Sequence, residues 1–223
     1  MTFSLTARCA KTGMFGIAIS SSSPAVAARC VHARPMVGAI ASQNITDPQL
    51  GQIGLDLLAR GFNAEEVRAA LVASGRFIAY RQFAIVDSTG GTASYSGSGT
   101  LGIHATCAGE GAAAAGNLLA TDQVPAAMIA AFRAAPGALA ERLLSGLQAG
   151  LDQGGEAGPV HAAGLYVVRD VSWPIVDLRV DWSERPIAAL HELWAVYAPQ
   201  IEDYVRRARQ PVDAPGFGVA GEA

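Results

Sequence analysis

The stretch MTFSLTARC (residues 1–9) decides the fold. Phe3, Leu5 and Ala7 alternate with Thr2, Ser4 and Thr6, the period-two pattern of a strand with one apolar and one polar face. A second strand, GIAIS (16–20), follows the turn residues Lys11-Thr12-Gly13-Met14, whose glycine admits a positive φ. Residues 2–20 therefore predict a β-hairpin whose polar face begins at Thr2, immediately behind the initiator methionine.

Working outward, SSSSP (20–24) ends the hairpin, and MVGAIASQN (36–44) is a nearly continuous small-apolar run, as in a strand buried on both faces. Pro48 opens a helix through GQIGLDLLARG (51–61), with Leu50, Ile53, Leu57 and Leu58 on one side and Gly61 as its stop. NAEEVRAALVAS (63–74) is a second helix, where Asn63 and Glu66 have capping-box spacing. RQFAIVD (81–87), the turn STGG and TASYSG (92–97) predict another hairpin. HATCAGEGAAAAGNLLA (104–120) reads as strand, loop and then a short strand or edge.

Helices are expected over 122–135, capped by Thr121, and over 137–152, closed by Gly154-Gly155. Strands return at 162–170 and 174–182, followed by one long helix over 185–208 and a loose arm. Paired strands alternating with paired helices do not suit a wound βαβ sheet. They predict an α+β fold, two antiparallel sheets packed together with helices outside both. The expected division is a compact unit over 1–183 and a C-terminal helix and arm over 184–223, packed on that unit or on a partner subunit.

With 51% hydrophobic and only 16% charged residues in 223, the chain must bury its surface in layers or against a partner. A homo-oligomer is expected, with a dimer favoured. A formal net charge of −3 and pI near 5.8 give no basic footprint for nucleic acid or anionic membrane. No run approaches the roughly 18–20 apolar residues of a membrane span. Nor does a charged, then apolar, leader open the chain. A soluble, cytoplasmic protein acting on a small molecule is the expectation. The three cysteines, Cys9, Cys30 and Cys107, have no framework spacing.

MTFSLTAR, KTGMFGIAIS, ASQNITDPQLGQIGLDLLARG, RQFAIVD, GNLLA and LAERLLSGLQAGLDQGG, in that order, resemble the DUF1028 family. That family is assigned to the N-terminal nucleophile (Ntn) hydrolases, with a four-layer αββα sandwich. The resemblance implies a role for Thr2. Once Met1 is removed, Thr2 carries both a hydroxyl nucleophile and an α-amine, whose reference pKa of about 7.7–8.0 suits a base near neutrality. The implied activity is hydrolysis of a small-molecule C–N amide bond without cofactor or metal.

By resemblance to proteasome-type Ntn enzymes, the oxyanion hole lies at Ser42-Gln43-Asn44, and the groups orienting the nucleophile lie near Ser20 and Ser21. Those enzymes carry an acidic residue and a strand lysine there. This chain has serines, and its single lysine is Lys11 in a turn. Asn117, in GNLL, and His161, in AGPVHAAG (157–164), are implied substrate contacts. Two alternatives stand beside this reading: a non-catalytic Ntn fold that binds a ligand or partner in the same cleft, and an unprocessed enzyme using Ser21 or Cys9.

Plainer roles exist for each residue: strand propensity for Thr2, a turn for Ser20 to Ser23, helix capping for Gln43 and Asn44 near Asp47, and loop bonding for Asn117. Cys30-Val31-His32 and His104-Ala105-Thr106-Cys107 lack zinc-site spacing. GEGAAAAG (109–116) imitates a dinucleotide fingerprint, but no helix opens on it and no acid ends a strand about 20 residues on.

Overall fold

The computed structural model describes residues 2–220. The expected loss of Met1 therefore concerns a residue outside the described range. Ten strands and seven α-helices follow one another as β1 (Thr2–Arg8), β2 (Phe15–Ser21), α1 (Val26–Cys30), β3 (Val31–Arg34), β4 (Gly38–Asn44), α2 (Pro48–Ala59), α3 (Ala64–Ser74), β5 (Arg81–Asp87), β6 (Thr92–Ser96), β7 (Ala105–Gly109), β8 (Ala112–Asn117), α4 (Val124–Ala134), α5 (Leu139–Asp152), β9 (Ala162–Val168), β10 (Val176–Val180), α6 (Pro186–Tyr197) and α7 (Ile201–Arg209).

The strands form two antiparallel sheets, ordered β10-β9-β2-β1-β8-β7 and β3-β4-β5-β6. Three apolar layers hold them. Phe3, Leu5 and Ala7 of β1 pack with Met128, Phe132, Leu143 and Leu147 of α4 and α5. Ile40, Phe83 and Ile85 pack with Leu50, Leu55, Val67 and Leu71 of α2 and α3. Between the sheets, Phe15, Ile17, Ala113 and Ala115 meet Ala39, Ala41, Ala84 and Val86. The result is the four-layer αββα sandwich that strand and helix pairing predicts.

Local chemistry matches the elements. Asp47 Oδ1 accepts from Gln49 N (3.1 Å) to start α2, with Pro48 at its first position. Asn63 and Glu66 close a reciprocal capping box on α3. Small residues at the mid-plane let the sheets approach. Of the two readings of AAAAGN (112–117), a short strand or an edge, the first holds: it is a six-residue strand, entirely buried and paired with both β1 and β7.

Three differences from the sequence pattern have local causes. Residues 26–34, left without regular structure by the sequence pattern, form α1 and β3, entered through Ala25 at φ 52°. The long C-terminal helix is interrupted at Ala198–Gln200, a 3-10 turn containing Pro199, because proline lacks the N–H that would continue the ladder. Thr121 bonds Gln123 N (3.3 Å), so α4 opens later than expected, at Val124. Ile187 and Leu190 of α6 and Val205 of α7 join the β9–β10 side of the core.

Candidate active site

Strand parity carries Thr2 to the layer between the sheets. Phe3 is taken by the helix-side core, so Thr2, Ser4 and Thr6 face the other sheet, and Thr2 retains only 5% of its surface. Its neighbour across the β8 ladder is Asn117. On the β2 side its Oγ1 donates to Ser21 Oγ at 3.4 Å, and Ser21 Oγ in turn accepts from Ser23 N at 3.0 Å.

Behind Thr2 runs a buried amide relay whose polarity is set by one backbone carbonyl. Gln82 Nε2 donates to Gly116 O and to Ser96 Oγ, both at 2.9 Å. Gln82 Oε1 must then be the acceptor, and it receives Gln43 Nε2 (2.8 Å) and Asn117 Nδ2 (3.0 Å). Gln43 Oε1 accepts from Ser4 Oγ at 2.6 Å. This leaves Asn117 Oδ1 a buried acceptor with no donor among the described residues. Gln43 and Asn117 each use one amide N–H on Gln82 and keep a second, since a primary amide carries two.

Glu156, like Gln82, is a residue that sequence reasoning missed. It lies in the loop between α5 and β9, bridges Leu119 in antiparallel fashion, and is only 4% exposed. Both carboxylate oxygens accept from Ser22 N, at 3.1 and 3.2 Å. Burial pushes its pKa from 4.5 to about 7, with the Ser22 hydrogen bonds and the charge of His161 opposing the rise. A lone acid in GGEAG carries no motif, and its burial is the only sign of its interest.

The structure gathers some of the expected residues and separates others. Thr2, Ser21, Gln43 and Asn117 share the inter-sheet face. Ser20 points to the opposite face and donates to Ala162 O at 2.9 Å. Ser42 turns towards α2 and donates to Asp47 O at 3.2 Å. Asn44, at φ 73°, donates to Tyr80 O (2.6 Å) and accepts from Leu101 N (3.2 Å), so it pins two loops. His161 stacks on Trp182 with centroids 4.4 Å apart, while its backbone N–H bonds Ser21 O at 2.8 Å.

Cys9 lies past the far end of β1. Burial raises its pKa, but hydrogen bonds from Thr12 and Lys11 and the charge of Arg142 leave it lowered. Cys30 Sγ meets Thr46 Oγ1 at 3.4 Å, and burial pushes its thiol up. Among the described residues no three His, Cys, Asp or Glu side chains are placed to hold a metal ion. No helix there is long and apolar enough to cross a membrane.

The sequence profile of DUF1028, a family of unknown function, matches residues 2–190. The chain belongs to DUF1028. A crystal structure of a DUF1028-family protein from Silicibacter pomeroyi superposes with a TM-score of 0.84 at 28% identity, covering 91% of this chain and 94% of that one. Anbu (ancestral beta-subunit) from Yersinia bercovieri overlaps 97% of this chain and 100% of its own at TM-score 0.39 and 10% identity. Thiobacillus denitrificans BPH, solved in complex with epoxomicin, overlaps 76% of this chain and 98% of its own at 0.37 and 13%. No curated protein matches the chain.

Proposed function

We propose that this DUF1028 protein is an amidohydrolase of the Ntn type, cleaving a C–N bond of a small molecule through Thr2. One observation carries the reading: the first residue after Met1 presents its hydroxyl between the two sheets, 3.4 Å from Ser21 Oγ and across the ladder from Asn117. Removal of Met1 converts the Thr2 peptide N–H into an amine with additional N–H donors. Asn117 Oδ1 is the acceptor that suits one of them, which orients the amine to take the Oγ1 proton. Thr2 Oγ1 then attacks the carbonyl carbon, and the amine returns the proton to the leaving nitrogen. Water, deprotonated by the same amine, next attacks the resulting Thr2 ester, releasing the carboxylic acid and restoring the Oγ1 hydroxyl. The second N–H groups of Gln43 and Asn117 are donors for the tetrahedral oxyanion, where one such donor contributes roughly 2.7–4 kcal/mol. No cofactor enters this scheme.

A second reading, a non-catalytic fold, draws on the 5% exposure of Thr2 in the chain that carries Met1. Hydrolysis of a panel of small amides and ureides by processed protein separates the two. Thr2→Ala should lower kcat/KM by roughly 10³-fold or more while unfolding with unchanged cooperativity. Full activity in that variant contradicts the proposal.

A further inference from the structure

Three arginines converge on a cavity of about 280 Å³ at the end of the sandwich remote from Thr2. Arg8 ends β1, roughly 20 Å along the strand from Thr2. Arg133 lies in the last turn of α4 and Arg142 near the start of α5. Glu110, Phe132 and the Thr89–Gly90 turn also line the cavity. Two backbone bonds fix the floor, Arg8 N to Gly111 O (2.8 Å) and Gly111 N to Gly90 O (3.1 Å), and they tie the hairpin turns of both sheets together. Gly109 leaves room for a guanidinium, since a β-carbon there would lie 2.5 Å from Arg133 Nη2.

Among the described residues none of these three guanidiniums pairs with a carboxylate. Arg142 lies 4.2 Å from the Phe132 ring centroid and donates from Nε to Phe132 O at 3.1 Å. Arg8 Nε is buried with no acceptor among the described residues. A charged donor buried without a partner is unfavourable, and neighbouring like charges add to that. Three guanidiniums against the Glu110 carboxylate leave two positive charges, the complement of a phosphate monoester, which carries about −1.5 to −2 near pH 7. Guanidinium forks match phosphate oxygens in pairs.

We propose that this cavity is a binding site for a phosphate group, distinct from the Thr2 site, with Arg8, Arg133 and Arg142 as its ligands. The bound species is inorganic phosphate or a small phosphate ester. Titration calorimetry of the full chain tests it with inorganic phosphate, glycerol phosphate, succinate and chloride at matched ionic strength. Phosphate is expected to bind with a Kd below about 1 mM, and glycerol phosphate to bind more tightly if the physiological ligand is an ester. Arg133→Met should weaken phosphate at least tenfold. Arg8→Lys, which keeps the charge and loses the Nε–H, should weaken it several-fold with the fold intact by circular dichroism. Phosphate binding no better than chloride, succinate binding tighter than phosphate, or unchanged affinity in both variants overturns the assignment. None of these readouts depends on hydrolysis through Thr2.

Discussion

Glu156→Gln is the substitution whose consequence follows most directly from the structure. The variant keeps an oxygen to accept from Ser22 N, which lies 3.1 and 3.2 Å from the two carboxylate oxygens, and removes the buried charge. Because burial lifts the carboxyl from 4.5 to about 7, the folded chain between those values holds a proton that the unfolded chain has released. Stability therefore falls as pH rises through this window and levels off above it. At 1.36 kcal/mol per pKa unit the loss amounts to about 3 kcal/mol, a sizeable part of the 5–15 kcal/mol typical of a domain. Urea unfolding of both proteins at pH 4.5 and pH 8 provides the assay. Glu156→Gln should match the parent protein at pH 4.5 and exceed it by about 3 kcal/mol at pH 8. A difference that changes by less than about 1 kcal/mol between the two pH values refutes the reasoning.

Two other substitutions test the scaffold. Asp87 is buried, yet its carboxyl stays below its ordinary value: burial raises it, and hydrogen bonds from Ala64 N, the Thr89 hydroxyl and N–H, and Gly91 N more than offset that. It therefore stabilises the fold above the unfolded pKa and loses that effect as pH falls through the folded one. Asp87→Asn should cost about 2–3 kcal/mol at pH 7, and thermal melts should show the penalty shrinking in strong acid. Gly51→Ala would bring a β-carbon to 2.1 Å from His32 Cδ2, and overpacking of that kind costs typically 1–3 kcal/mol, read as a lower urea midpoint with an unchanged slope.

Much of the architecture was legible because its signals are local. The alternation in TFSLTA, the Asn63–Glu66 cap and the proline at the start of α2 each act within a few residues, and each element stands where its pattern put it. The internal place of β8, between β1 and β7, was obscured because AAAAGN has neither alternation nor branched side chains. Its small residues are there for the close approach of two sheets, a tertiary demand. Pro199 was visible, yet the apolar spacing of Leu190, Trp194, Tyr197 and Ile201 runs straight across it, so periodicity masked the break. In the site, parity along β1 put Thr2 on the inter-sheet face. Whether Ser20 or Ser21 joined it depended on the register between β1 and β2, and a slip of one residue exchanges the two. Glu156 and the orphaned oxygen of Asn117 are products of burial and partner choice, which no spacing along the chain encodes.

Thr2, freed of Met1, is the proposed nucleophile between the two sheets. Mass spectrometry of the protein purified from its own cells, before and after exposure to a β-lactone, tests it most directly. The expected result is a chain shorter by one methionine that gains the mass of one lactone on the peptide beginning at Thr2. A chain that retains Met1, or one that lacks it and takes up no label at Thr2, contradicts that role for Thr2.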